Sequence, residues 1–522
     1  MIFEVDIASI LRIILLVSFI KYGYAVAPIR IQNNKFVNSA TGNEFNIVGV
    51  AYQPGGSSGY NPGSGVDPLS DGDICLRDAA LMQQLGVNAL RVYNVNPAIN
   101  HDLCASIFNE VGIYLLIDVN SPLNGESLNR KSPGSSYNAK YLQRVFSVVE
   151  SFKDYPNTLL FFSGNEVIND VPTAENVPPY LRAITRDLKN YIANNCERAI
   201  PVGYSAADVR EILMDTVNYL QCSTTGDNKD PSRGDFFALN SYSWCGNSSF
   251  TAAGYDVLVN DFKGSSLPVF FSEYGCNVPD PRVFTEVPAL YGPLAGPVLS
   301  GGVVYEYSQE PSNYGLVELS SDGSAKLKTD YESLQAQISS LDTKALQGIK
   351  ASSSSEGVSA PKCSSSLIKT TSFYNEFKIP DIPKDAQVLI DNGIPNAPTG
   401  KLVSVTKLKI SQSVQRSNGD LLKDLAIQPI SDSGDFDEPG TNSTGGAKPN
   451  TGSPIPGSKT TPDDSPKSTY TPANPYKPDT GAGMSINLDL KMELIYGIIS
   501  FMHSPLFRFD SYSSLDQFDF FR

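Results

Sequence analysis

The hydrophobic residues between about residue 45 and residue 308 fall into two alternating kinds of run. Short runs that are apolar at nearly every position predict buried strands, whereas apolar residues at three- and four-residue steps predict amphipathic helices. Eight predicted strands occur here: FNIVGVAYQP from residue 45, NALRVYNV from 88, YLLIDVN from 114, TLLFFSGNE from 158, IPVGYSAAD from 200, DFFALNSYSW from 235, LPVFFSEYG from 267 and GGVVYEYS from 301. Four segments between them can hold helices: DICLRDAALMQQLG, YLQRVFSVVESF, YLRAITRDLKNYI and VREILMDTVNYL.

Strands without polar alternation, separated by helices, indicate a parallel sheet that is covered on both faces. Eight such units over roughly 270 residues match the usual size of a (β/α)8 TIM barrel. An open, doubly wound sheet is the alternative within the α/β class, but no glycine-rich phosphate fingerprint follows the first predicted strand. The pattern therefore predicts a barrel whose functional side chains lie at the C-terminal ends of the strands.

The regions that flank the predicted barrel differ from it in composition. An apolar run from Ile13 to Ile20 follows Arg12 and leads to small residues at Ala25 and Ala27, which predicts a cleaved signal peptide. We expect five regions: a signal peptide at 1–27, the barrel at 28–341, an appendage packed on it at 342–430, a stalk at 431–480 and an atypical end at 481–522. The appendage has segments that could form a few strands.

The stalk and the chain end have distinct signatures. Residues 431–480 are rich in Gly, Pro, Ser, Thr and Asp, a composition that does not fold and is typical of an O-glycosylated stalk. The small residues Thr480 to Gly483 and the apolar run Leu494 to Met502 are arranged as in a signal for a glycosylphosphatidylinositol (GPI) anchor. The polar sequence FRFDSYSSLDQFDFFR follows, so either this signal is degenerate or the true C-terminus differs.

Charge and composition exclude several classes of function. The 522 residues carry a net charge of −15, which argues against nucleic acid or an anionic membrane surface as the partner. Only His101 and His503 are present, without an HExxH or paired CxxC motif, so we expect no metal site. Secretion makes the seven cysteines candidates for disulfides, and their odd number leaves at least one unpaired within the chain. Sequons at Asn247 and Asn442 are candidate glycosylation sites.

Two carboxylates stand at the ends of predicted strands. The fourth strand ends in Gly164-Asn165-Glu166 and the seventh in Ser272-Glu273-Tyr274. Strands four and seven lie on opposite sides of an eight-stranded barrel, so both carboxylates point at one mouth. Retaining glycosidases use such a pair as acid/base and nucleophile, about 5–5.5 Å apart. The competing interpretation is that both glutamates are rim carboxylates paired with arginines.

Other strand ends carry residues suited to sugars, which present apolar faces and a rim of hydroxyls. These residues are Arg91, Tyr93, Asp118, Asn120, Asp208, Arg210, Tyr242, Trp244, Tyr305 and Tyr307. We expect about half of such aromatic rings to face the cleft, because side chains alternate along a strand.

The chain resembles glycoside hydrolase family 72, the fungal cell-wall β-1,3-glucanosyltransferases. The matching segments are GVAYQPGG, LRVYNV, YLLIDVNSP, FFSGNEVIND, PVGYSAADVR, LNSYSWCG, FFSEYGCN and GGVVYEYS, and KIPDIPKDAQVLIDNGIP after the barrel. The resemblance implies internal cleavage of a β-1,3-glucan and transfer of the new reducing end to the non-reducing end of a second glucan, without a cofactor. It also implies a location at the cell surface, in the wall or on the plasma membrane through a GPI anchor.

The resemblance also implies roles for particular residues. Glu166 matches the acid/base and Glu273 matches the nucleophile. Substrate contacts are implied for Tyr93, Asp118, Asn129 in the loop 121–130, Asn165, Asp208, Arg210, Tyr242 and Tyr305. The family's disulfides imply the pairs Cys75–Cys104, Cys245–Cys276 and Cys222–Cys363, with Cys196 as the odd thiol. The Cys-rich module of some members is absent, since only Cys363 follows residue 276.

Two alternatives remain at this point. A hydrolytic endo-β-1,3-glucanase would share every step up to the covalent intermediate and would differ only in using water as the acceptor. A catalytically inactive, glucan-binding wall protein would share only the fold, and the intact pair of Glu166 and Glu273 argues against it.

Overall fold

The fold is built around eight parallel strands, and the computed structural model describes residues 26–352 and 358–430. An antiparallel hairpin of β1 (Ile29–Gln32) and β2 (Lys35–Asn38) comes first. The eight strands that follow are β3 (Ile47–Ala51), β4 (Ala89–Val92), β5 (Tyr114–Asp118), β6 (Thr158–Asn165), β7 (Val202–Ala207), β8 (Phe236–Asn240), β9 (Val269–Tyr274) and β10 (Leu299–Val304). They pair in sequence order, and β10 pairs with β3 to close the barrel. The predicted (β/α)8 barrel is confirmed, and each of the eight apolar runs contains one strand.

The helices lie between these strands and after the barrel. They are α1 (Gly72–Leu85), α2 (Asp102–Glu110), α3 (Pro133–Ser136), α4 (Ala139–Phe152), α5 (Val171–Ala174), α6 (Pro178–Asn195), α7 (Leu213–Gln221), α8 (Tyr255–Phe262), α9 (Val287–Leu290), α10 (Thr329–Ser339), α11 (Thr343–Gln347) and α12 (Gln387–Asn392). Local signals set their ends: the Asp71 side chain accepts from two amides at the start of α1, and Gly86 ends it with φ 86°.

The strands bury both faces, as continuous apolar runs require. Successive residues of a strand alternate between the lumen and the surrounding helices. Leu116, Phe162, Ala238 and Phe270 belong to the cluster inside the barrel. Their neighbours Leu115 and Phe161 belong to the cluster shared with the helices. Because the eight barrel strands are buried on both sides, the partly exposed polar side chains of the barrel are expected near the strand ends.

The segment after α11 is a belt along the outside of the barrel. Its Phe377 ring stacks on Tyr219 of α7, with centroids 5.0 Å apart, and Asn195 at the end of α6 donates to Ile390 O at 2.8 Å. The amide of Ile430 donates to Glu110 O at the end of α2. The belt therefore crosses three of the barrel's helices.

The belt contains fewer strands than the sequence suggested. KIPDIPKDAQVLIDNGIP holds the one-turn helix α12. Among the described residues of the belt, the one strand is β13 (Val414–Gln415), which joins a small sheet with β11 (Val317–Leu319) and β12 (Ala325–Leu327). Prolines at 380 and 383 interrupt strand pairing, and the apolar residues of α12 are spaced to pack on α6 instead.

The predictions for the signal peptide, the stalk, the GPI signal and Asn442 lie outside the described residues. No helix within the described ranges has the length and apolar character needed to cross a membrane.

Candidate active site

Glu166 is the first residue beyond β6, at the mouth of the barrel. Its backbone has φ 50°, in the left-handed region that costs a residue with a Cβ about 1–3 kcal/mol. Its amide donates to Ser205 O of β7 at 2.9 Å, which continues the parallel pairing past the end of the strand. The turned backbone ends the strand and leaves the side chain partly exposed, with Oε1 accepting from Asn240 Nδ2 at 2.8 Å.

Glu273 lies within β9 and is 1% exposed. Three donors surround its carboxylate. Tyr93 Oη donates to Oε1 at 2.9 Å, Tyr242 Oη donates to Oε2 at 2.7 Å and Arg91 Nη1 lies 3.3 Å from Oε1. Each of these contacts favours the ionised form, so Glu273 is held as a fixed, buried carboxylate.

Arg91 of β4 is fully buried and organises the floor of the mouth. Its guanidinium forms a bidentate pair with Asp118 at 2.9 and 3.1 Å. It also donates to Asn165 Oδ1 at 3.0 Å, and it lies 4.4 Å from the ring centroid of Phe162. Asp118 therefore contacts the arginine that holds Glu273, rather than lying freely in the cleft.

The amides of Asn165 and Asn240 have defined orientations. Asn165 Oδ1 accepts from Arg91 and from Ser205 Oγ at 2.8 Å and Asn240 Nδ2 at 3.1 Å. Three donors on one atom identify it as the carbonyl oxygen. No bond of the Asn165 NH2 group to another described residue is present, and the side chain is partly exposed. This NH2 group is thus a positioned donor beside Glu166.

Burial raises the pKa of both carboxyl groups. For Glu166 the rise is opposed by the hydrogen bond from Asn240 and by the charge of Arg91. For Glu273, burial raises the pKa to about 7; the charge of Arg91 and the two tyrosyl hydroxyls oppose the rise, and the charge of Glu166 adds to it. The electrostatic coupling means that the pair holds one proton more readily than none. Glu273 has three donors and Glu166 accepts one hydrogen bond, from Asn240, so the hydrogen bonding favours the ionised form of Glu273 more than that of Glu166.

A cluster of four tyrosines forms a wall beside Glu273. Tyr242 lies 6.3 Å from Tyr305 and 5.5 Å from Tyr314, and Tyr305 lies 5.4 Å from Tyr314. Tyr93 lies 6.3 Å from Tyr305. All four are partly exposed. Partly exposed rings of this kind suit the apolar faces of sugar rings.

The remaining predicted site residues lie farther out. Asp208, just past β7, pairs with Arg210 and accepts from Ser241 Oγ at 2.7 Å. Asn129 is exposed, and its carbonyl oxygen accepts from the amides of Lys131 and Ser132 within its own loop. The structure brings Asp208 and Arg210 together at the rim, and it uses the Asn129 side chain to shape a loop.

The cysteines are paired as the resemblance implied. Disulfides join Cys75 to Cys104, Cys222 to Cys363 and Cys245 to Cys276, and Cys196 is free. Cys363 anchors the belt to the end of α7. The sequon residue Asn247 is exposed beside Cys245.

Sequence reasoning gave no role to four residues of this site. Ser205, Asn240 and Ser272 form a network of hydrogen bonds beneath the carboxylates, with distances of 2.8 to 3.0 Å. Their signal is a small polar residue inside an otherwise apolar strand. Tyr314 comes from the loop after β10, where no pattern marks its return to the mouth. Within residues 26–352 and 358–430, no cluster of three or more His, Cys, Asp or Glu side chains is arranged to hold a metal ion.

Comparisons with known proteins agree with this geometry. The model of the family described as Glucanosyltransferase (glycoside hydrolase 72) matches residues 18–342. The chain is 53% identical to the 1,3-beta-glucanosyltransferase gel2 of Aspergillus fumigatus, over 81% of this chain and 86% of gel2. It is 46% identical to the probable 1,3-beta-glucanosyltransferase GAS3 of Saccharomyces cerevisiae, over 73% and 75%.

Among solved structures, one match is a Saccharomyces cerevisiae Gas2p mutant in complex with laminaritetraose and laminaripentaose. It has a TM-score of 0.60 and 34% sequence identity, and the match covers 70% of this chain and 76% of Gas2p.

Proposed function

The chain belongs to the glucanosyltransferase family, glycoside hydrolase family 72, and from that membership we propose how its residues act on β-1,3-glucan. It is an enzyme that cleaves β-1,3-glucan internally and transfers the new reducing end to another glucan. One observation carries the assignment of residues: two electrostatically coupled carboxylates, Glu166 just beyond β6 and Glu273 near the end of β9, lie at one mouth. Glu273 is surrounded by three donors, whereas Glu166 accepts one hydrogen bond, from Asn240.

Glu273 is the nucleophile. Its ionised carboxylate attacks the anomeric carbon of the donor and forms a glycosyl ester as the glycosidic bond breaks. Arg91, Tyr93 and Tyr242 aim its oxygens and limit their rotation. A preorganised nucleophile of this kind needs little rearrangement in the transition state.

Glu166 is the acid and then the base. In the first step its proton goes to the leaving oxygen of the glucan, so the released chain departs as an alcohol. Ester formation removes the charge of Glu273, and the pKa of Glu166 then falls. As a carboxylate, Glu166 takes the proton from the non-reducing-end hydroxyl of the acceptor. That oxygen attacks the anomeric carbon, the ester bond breaks and Glu273 is restored.

Asn165 stabilises the transition state. Its carbonyl oxygen is fully occupied by three donors, which directs its NH2 group outward beside Glu166. A donor there suits the sugar hydroxyl next to the reacting carbon, a contact that strengthens as the oxocarbenium ion develops. Tyr93, Tyr242, Tyr305 and Tyr314 provide the aromatic wall for the donor.

The protein acts at the cell surface or in the wall. Three disulfides are typical of proteins from oxidising compartments. The exposed sequon residue Asn247 fits the same location. The end of the chain supplies a candidate, degenerate signal for a membrane anchor, and that attachment remains a prediction.

Product analysis with a reduced β-1,3-gluco-oligosaccharide tests this function. We expect wild-type protein to make products longer than the substrate. Products that are only shorter would identify a hydrolytic glucanase, and unchanged substrate with folded protein would identify a binding protein. Glu166→Gln and Glu273→Gln should each lower turnover by at least about a thousandfold without a change in melting temperature. Glu318→Gln, at an exposed position of β11, is the matched control.

A further inference from the structure

A cavity of about 700 Å3 lies at the end of the barrel opposite the catalytic carboxylates. Pro201, Asp235 and Leu267, which come just before β7, β8 and β9, contribute to its lining. Since these strands run from this end to the mouth, the cavity lies at their N-terminal ends. Nothing in the proposed reaction uses it.

The lining of this basal cavity is rich in positive charge. Its cationic side chains are Arg30, Lys189, Arg198 and Arg233, against the carboxylates of Glu197 and Asp235. Asp235 is already engaged, because Oδ1 lies 2.6 Å from Lys189 Nζ and Oδ2 accepts from the amide of Val202. Glu197 is exposed. The three arginines thus have no carboxylate partner within salt-bridge distance among the described residues.

Two of these arginines have side chains fixed by hydrogen bonds, and in each of them one terminal nitrogen of the guanidinium has no partner among the described residues. Arg233 is 6% exposed; its Nε donates to Gln221 O and its Nη2 to Ser266 Oγ, while its Nη1 has no partner among the described residues. Arg198 Nη2 donates to the carbonyls of Tyr155 and Thr158, while its Nη1 is buried and has no partner there either. Arg198 is held by two backbone carbonyls and Arg233 by one backbone carbonyl and one serine hydroxyl, and each has one terminal nitrogen without a partner among the described residues.

An unpaired, desolvated guanidinium is costly, and a bound anion removes that cost. Burial lowers the pKa of Arg198 to about 10 and also lowers the pKa of Arg233. Both shifts result from burial, which outweighs the opposite effect of the nearby acidic groups, so the charge of each guanidinium is incompletely compensated. The neutral hydroxyls of a glucan would leave the imbalance in place.

We propose that the basal cavity binds a phosphate or sulfate group, either as the free anion or as the ester of a small sugar. The planar donors of arginine match the oxygens of such a group. Arg233 offers its unpartnered Nη1, the exposed Arg30 belongs to the same lining, and the buried guanidinium of Arg198 adds positive charge to it. The volume leaves room for a sugar ring beside the anion. Because the site is remote from the mouth, its occupancy stabilises the fold without entering the chemistry.

Thermal unfolding of the full-length protein tests the proposal. Inorganic phosphate should raise the melting temperature in a saturable way, whereas sodium chloride at matched ionic strength should not. Glucose 6-phosphate and glucose form the second arm. A tighter response to glucose 6-phosphate than to phosphate identifies an ester as the ligand, and an equal or weaker response identifies the free anion. Equal shifts with phosphate and chloride would refute the site.

Variants distinguish phosphate binding in the basal cavity from a general effect of surface charge. Arg233→Met should weaken phosphate binding at least tenfold by isothermal titration. Arg30→Ala, at an exposed side chain that has no hydrogen bond to another described residue, should weaken it several-fold without disturbing the fold. Lys378→Ala removes an exposed cation outside the cavity lining and should leave the affinity for phosphate unchanged.

Wild-type affinity for phosphate in Arg233→Met would overturn the proposal. If Arg233→Met does not fold, wild-type affinity in Arg30→Ala would overturn it. Transfer activity that persists without phosphate keeps this result separate from the proposed function.

Discussion

The two ends of the barrel lumen are made from the same strands but differ in what their side chains do. At the mouth, carboxylates, amides and Arg91 satisfy one another through short hydrogen bonds. Toward the opposite end, Phe36 of the hairpin packs on Phe270 at 5.8 Å, and Phe236 packs on Phe162 at 5.4 Å and on Phe270 at 5.7 Å. A strand thus contributes aromatic packing near one end and chemistry at the other.

Because of this difference, we expect substitutions at the aromatic end to affect stability and substitutions at the mouth to affect activity. Aromatic packing can be lost without moving a catalytic group, and a catalytic donor can be lost without opening a cavity. Arg91 is where the two regions meet, because its guanidinium contacts the Phe162 ring on one side and Glu273 on the other. Variants on either side of Arg91 should therefore affect different measurements.

Apart from the variants of the two carboxylates, Asn165→Ala should have the largest effect at the mouth. It removes the outward NH2 donor and also the acceptor of three hydrogen bonds. Since contacts to this sugar hydroxyl contribute several kcal/mol in the transition state, we expect kcat/KM to fall by about a thousandfold. The assay is transfer from a β-1,3-gluco-oligosaccharide. Asn392→Ala, which removes an exposed amide of α12, is the control and should stay within about threefold of wild type. Comparable rates in the two variants would remove Asn165 from the site.

Phe36→Ala should produce the opposite result. This ring is 1% exposed, and its removal leaves a cavity that costs about 3–5 kcal/mol of unfolding free energy. Denaturant titration measures that loss, and kcat per folded molecule should not change. Val257→Ala, at a side chain 51% exposed on α8, should cost less than about 0.5 kcal/mol. A fall in kcat for folded Phe36→Ala protein would show that the two ends are coupled.

The barrel and its two carboxylates were predictable because both depend on strong local signals. Continuous apolar runs such as LPVFFS locate strands, and a glutamate at the end of such a run is costly unless it is used. The network of Ser205, Asn240 and Ser272 was not predictable, since each residue looks like an ordinary polar position. The register in which β7 pairs with β8 and β8 pairs with β9 brings the three side chains to the same depth, and the sequence does not specify that register.

The prediction of strands in the belt was inaccurate for a different reason. The segment DAQVLIDN is apolar enough for a strand and short enough for one helical turn, so periodicity does not decide between them. Packing on α6 decides it, and that contact joins residues far apart in sequence. The sequence likewise does not reveal that Asp118, an expected substrate contact, has a bidentate partner, Arg91, on β4.

Tyr242→Phe should change pH dependence more than maximum rate. The hydroxyl donates to ionised Glu273 and opposes the rise that burial causes in the pKa of that carboxyl, so its loss raises the pKa further. The nucleophile must be ionised, and the acidic limb of the kcat/KM profile should therefore move to higher pH. Tyr314→Phe changes a ring of the same wall whose hydroxyl has no hydrogen bond to either catalytic carboxylate in the described structure, so it should leave the limb in place. A limb that moves to lower pH in Tyr242→Phe would contradict the assignment of Glu273.

Cys196→Ser should have the smallest effect of these variants. Cys196 contributes to the lining of the basal cavity, so the variant tests whether this thiol matters for stability. Burial raises the pKa of this thiol to about 12, so it is protonated and unreactive at neutral pH. Serine has nearly the same shape, and we expect a loss of less than about 1 kcal/mol in unfolding free energy. Titration of denatured wild-type protein should count one thiol, and the variant should count none, because the other six cysteines are paired. Three thiols in the wild type would mean that one disulfide does not form, and the loss of Cys222–Cys363 would release the belt from α7.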